Sequence, residues 1–80
     1  MPTVLRTSGY RVYFYSHEPN EPPHVHIDRE RMSAKFWLVP VGLARNRGFS
    51  SRELRQLESL VESIAELCLE AWNEHFSSNN

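Results

Sequence analysis

Eighty residues, 40% of them apolar and 24% charged, make one small domain in which every apolar segment needs cover, because so short a chain buries only a modest fraction of its surface. No apolar run approaches the ~20 residues of a membrane span, and "MPTVLRTSGY" has no basic start leading into an apolar stretch, so a cytoplasmic location is expected. The net charge of −1 conceals a division: residues 1–55 hold all nine Lys and Arg with five acids, and residues 56–80 hold five acids alone, so the two parts either bind different partners or attract each other.

Between Thr3 and Ala44 short β-rich runs alternate with turn residues, the pattern of a four- or five-stranded antiparallel meander. "TVLRT" predicts the first strand, Ser8-Gly9 a tight turn, and "YRVYFY" a second strand rich in aromatic and β-branched residues. "HEPNEPP" predicts a loop, since proline cannot donate to a central ladder. "HVHID" is the third strand, "RERM" a turn and "SAKFWLV" the fourth strand, ended by Pro40; "VGLA" is a short edge strand and "RNRG" a loop. Ser50 and Glu53 then have the spacing of a capping box, with Phe49 placed to staple onto Leu54, at the start of one amphipathic helix over about 51–76; residues 77–80 are a frayed tail. The expected fold is α+β, a single domain over 1–80 with the meander packed on the C-terminal helix.

At about 100° per residue, Leu57, Leu60, Val61, Ile64, Cys68, Ala71, Trp72 and Phe76 share one arc of the helix, and Glu58, Glu62, Glu66, Glu70 and Glu74 the other. Cys68, the single cysteine, is expected to be a buried packing residue. The glutamates repel at i, i+4 spacing by roughly 0.2–0.5 kcal/mol per pair. They form either a solvated face or a stripe for a basic partner. A helix of this length, about 39 Å, overhangs strands of about 17–20 Å. Trp72 and Phe76 therefore need a bend, the N-terminal strand or a second chain, and the expectation is a small protein partner or a homodimer.

Strand alternation puts His24, His26 and Asp28 on one face and Val25 and Ile27 on the other. With Val12, Phe14, Ala34, Phe36 and Leu38 turned to the helix, the free face of the sheet displays Arg11, Tyr13, Tyr15, His24, His26, Lys35 and Trp37. Three uses compete with plain packing of these imidazoles beside a proline-rich turn. Protein binding draws on Trp, Tyr and Arg as interface anchors. RNA binding or cleavage would stack bases on the aromatic rings while Arg and Lys meet phosphate; a metal-independent ribonuclease would use His24 and His26 as acid and base, Arg29 or Lys35 for the phosphorane charge, and Tyr15 or Trp37 to stack a base. A metal site would draw on His17, His24 and His26, with Glu18, Glu21 or Asp28 to complete it. No cofactor is expected.

"GYRVYFYS", "EPPHVHIDRE", "AKFWLVPVGLA", "GFSSREL" and "EAWNEHF" occur in the order found in small bacterial proteins, and over nearly its whole length the chain resembles domain of unknown function family 4160. The resemblance implies a β-meander with a C-terminal helix, often encoded beside another small protein in a toxin-antitoxin-like arrangement. It marks Pro22, Pro23, His24, His26, Lys35 and Trp37 as motif positions, without a catalytic role for any of them. Val39 stands where the resemblance implies an acidic residue.

Overall fold

The computed structural model describes residues 3–15 and 20–77. Five antiparallel strands, β1 (Thr3–Thr7), β2 (Tyr10–Tyr13), β3 (His24–Arg29), β4 (Met32–Leu38) and β5 (Val41–Arg47), lie in sequence order, followed by α1 (Ser51–Ser77). The fold is thus the expected α+β meander with one long helix.

Turn chemistry sets the register. Ser8 and Gly9 both have positive φ, 50° and 83°, the conformation whose twist suits a two-residue hairpin, and they bring Thr7 opposite Tyr10. Val39 and Pro40 close the β4–β5 hairpin, with Leu38 opposite Val41. One face of the sheet then presents Val12, Val25, Ile27, Ala34, Phe36 and Leu38, all buried, to Leu57, Val61 and Cys68 of α1. Each apolar side chain withdrawn in this way contributes about 1.5–3 kcal/mol to folding.

Two boundaries differ from the sequence reading. β2 ends at Tyr13, so Phe14 and Tyr15 extend beyond the ladder. β5 runs to Arg47 and absorbs most of the expected "RNRG" loop, for a reason visible in the register. Lys35 pairs with Arg45 but Phe36 pairs with Leu43, which leaves Ala44 as the extra residue of a β-bulge. In an unbroken ladder from Leu43, Arg45 and Arg47 would point towards the helix; the bulge turns them to the opposite face.

It also turns Asn46 inward. The Asn46 side chain donates to the Phe49 carbonyl (3.0 Å) and accepts from the Phe49 amide (3.1 Å), tying the end of β5 to the start of α1. Loss of both bonds in Asn46→Ala is expected to lower stability by about 1–2 kcal/mol, measured by urea denaturation, with Asn46→Asp intermediate because it keeps the acceptor.

Ser50 caps α1 as expected, its Oγ accepting from the Glu53 amide at 3.1 Å. The return half of the capping box is not made. The Glu53 carboxylate instead accepts from the Tyr10 hydroxyl and pairs with Arg29 Nη2 at 2.7 Å, fastening β2 and β3 to the first helical turn.

The far end of α1 finds its cover within the chain. Trp72 is 6% exposed, packed on Phe14 (ring centroids 5.3 Å), His24 (5.0 Å) and Phe76 (4.4 Å). Trp72 is therefore covered by the chain itself, while Phe76, packed on Phe14 and Trp72, stays half-buried. Because β2 stops at Tyr13, Phe14 is free to turn under the last helical turns and fill the overhang.

Candidate functional site

The polar face of the sheet is built by register. One row across it reads Arg6, Arg11, Asp28, Ser33, Arg47 and the next Thr3, Tyr13, His26, Lys35, Arg45. Arg6 and Arg11 stand directly opposite each other, an arrangement that disfavours folding and that packing alone does not require. The Arg11 guanidinium lies 4.5 Å over the Tyr13 ring. Tyr13 in turn stacks on His26 (5.3 Å, 22° between planes), and Tyr15 meets His26 edge-on at 4.7 Å.

Tyr13 is nearly enclosed, and its hydroxyl donates to Asp28 Oδ2 at 2.9 Å. Burial first, then hydrogen bonds with Tyr15 and Asp28 and the negative charge of Asp28, raise its pKa well above the usual tyrosine range. The phenol is held neutral as a structural donor.

Lys35 is 8% exposed, its ammonium paired with Glu21 and 4.7 Å above the Trp37 ring. A cation so held is fixed in position, and its field is screened by solvent less than that of an exposed side chain. Beside it opens a pocket of about 230 Å³ lined by Tyr13, Tyr15, Glu21, His26, Ser33, Lys35, Arg45 and Arg47. Arg45 and Arg47, read as loop residues from the sequence, are the contributors that sequence reasoning missed. The signal was present in the polar alternation R-N-R, but the phase change at Ala44 hid which residues faced which way.

The two motif histidines divide. By register His24 and His26 belong to one face, and their rings are 5.2 Å apart. His26 is half-buried and lines the pocket. His24 is 0% exposed, between Trp37 (5.8 Å) and Trp72, and its Nδ1–H donates to the Pro22 carbonyl at 2.9 Å. The di-proline turn thus anchors the first residue of β3, and the Pro23 carbonyl carries the ladder one step further by accepting from the Leu38 amide. The expected display of His24 on an open face is corrected: it belongs to the aromatic plug beneath the end of α1.

Arg29 also leaves the site. It follows Asp28 and so points to the helix side, where it pairs with Glu53 and lies 5.3 Å over Tyr10. Of the residues put forward for a ribonuclease, His26, Lys35 and Tyr15 line the pocket, and His24, Arg29 and Trp37 do not. Among the described residues no three His, Cys, Asp or Glu side chains come together as metal ligands, and His17 and Glu18 lie outside those residues. Arg11, Tyr15 and Trp37 are half-buried on the polar face.

Cys68 is fully buried under the sheet, and burial pushes its thiol up to about 11. A raised pKa means that the fold favours the protonated form. Its contribution to stability is intact below the ordinary value of 9.0 and is lost as pH rises towards 11. Denaturation midpoints should therefore fall between pH 9 and 11. Cys68→Ala should fall less over that interval, and an equal fall in the variant would show the thiol to be irrelevant. Tyr10, raised chiefly by its hydrogen bond to Glu53, and Tyr13 add losses of the same sign above pH 10.

No helix is long and apolar enough to cross a membrane among the described residues. No curated protein and no solved structure matches the chain. The family model described as Domain of unknown function (DUF4160) matches residues 9–73, a span from the β1–β2 turn through Trp72 and so through both the pocket and the aromatic plug, and the chain belongs to that family.

Proposed function

We propose that this chain is a binding protein, one component of a toxin-antitoxin-like pair, that holds an anionic macromolecule on the polar face of its sheet. The pair rests on the family resemblance, and one observation carries the anion-binding part of this reading. Five cations, Arg6, Arg11, Lys35, Arg45 and Arg47, stand on one open face with two carboxylates, Asp28 and Glu21, and both carboxylates are engaged within that face. The glutamates of α1 that reverse the chain's net charge are exposed on the helix instead. Charge separated in this way gives a local positive field that an overall charge of −1 conceals. A two-histidine ribonuclease fits less well, because a general acid must reach the substrate and His24 is enclosed.

A polyanion column tests the reading. The protein should be retained on immobilised heparin at low ionic strength despite its acidic pI, and Arg45→Glu/Arg47→Glu should flow through while keeping its circular dichroism. Wild-type protein in the flow-through would end the proposal. Co-expression with a small protein encoded beside it, the arrangement that the family resemblance implies, should give a complex in gel filtration; elution of the two as separate species would remove the pair.

A further inference from the structure

We infer that the occupant of the pocket between β3, β4 and β5 is single-stranded RNA. The inference rests on the anion-binding reading of the sheet face and names its ligand. Arg45 and Arg47 are two residues apart on an antiparallel strand, so their side chains emerge about 6.8 Å apart along it. That spacing is comparable to the separation of neighbouring phosphates on an extended single strand. Neither guanidinium has a carboxylate partner among the described residues, and both are exposed on the edge strand. The bulge at Ala44 is what delivers them to this face together.

The pocket floor supplies what an acidic protein segment would not use. Tyr15 and His26 put half-buried rings between the cations, 4.7 Å from each other, and every base has a face to stack on such rings. A duplex keeps its bases inside and cannot offer them here. The volume, about 230 Å³, is below the roughly 300 Å³ at which sites for whole small molecules begin. This suits one unit of a polymer passing across the sheet. Glu21 makes the choice between nucleic acids. A carboxylate in the pocket lining repels a phosphate but accepts a hydrogen bond from a ribose 2′-hydroxyl, which DNA lacks. Lys35, fixed on the same carboxylate, offsets its charge.

Fluorescence anisotropy with a labelled RNA of about ten nucleotides, the same sequence as DNA, its duplex, and an acidic peptide decides the matter. RNA should bind best, and its affinity should fall with salt. In Arg45→Ala/Arg47→Ala the slope of log K against log salt should be shallower by about 1.4, two phosphate contacts at about 0.7 each. Tyr15→Ala should weaken binding roughly tenfold with the slope unchanged, since stacking releases no counterions. Absence of RNA binding at low salt, a double variant that binds as wild type, or equal or tighter binding of DNA or the peptide would overturn the inference. If heparin retention persists while RNA fails to bind, only this assignment falls and the anion-binding reading stands.

Discussion

Trp72→Ala is expected to cost about 3–5 kcal/mol, the cost typical of emptying a buried aromatic site. An 80-residue domain has in total only about 4–12 kcal/mol, so the variant should have a urea midpoint near zero or be partly unfolded at room temperature. The size of the effect follows from what the indole touches. Phe14, His24 and Phe76 all pack on it, so its removal opens the joint between the end of β2, the start of β3 and the last turns of α1 at once. A loss under about 1 kcal/mol would show that the helix end does not seal the sheet in solution.

Substitutions at the two motif histidines are expected to separate stability from binding. His24→Ala should destabilise by about 2–4 kcal/mol, because it leaves a cavity against Trp37 and Trp72 and deprives the Pro22 carbonyl of its donor. His24→Phe keeps a ring in the plug and should recover about half of that loss. His26→Ala, at the half-buried position, should cost about 1 kcal/mol or less in stability and act instead on retention of the anionic ligand. Urea denaturation and the polyanion column read the two properties independently. Equal stabilities for His24→Ala and the wild type would refute the packing role assigned to that ring.

Much of this fold is legible in the amino-acid sequence. The alternation in "YRVYF", "HVHID" and "AKFWL" assigned the buried face correctly from Val12 to Leu38, because one helix can cover only one side of a sheet and a strand shows its sides in turn. Ser50, Phe49 and the helical arc through Leu57, Val61 and Cys68 were equally plain. Three things were not. Parity says which side a residue leaves from but not what closes over it, so His24 read as a surface group while Trp37 and Trp72 pack against it and leave it fully buried. Parity also fails at a bulge, and one extra residue at Ala44 hid Arg45 and Arg47. Arg29 looked like a neighbour of the histidines by proximity in sequence, yet its odd offset from His24 sends it to Glu53.

The outermost strands share an irregularity. β5 bulges at Ala44, and β1 bulges at Val4, where Thr3 pairs with Tyr13 but Leu5 with Val12. Each break interrupts the row of amides and carbonyls that another strand would need to continue the ladder, and with Arg45 and Arg47 it places like charges along one rim. Lateral growth by strand addition is discouraged at both margins. The ligand proposed for this molecule would come to it broadside, because the flaws that guard its flanks against aggregation also leave the flat of the sheet as the avenue of approach.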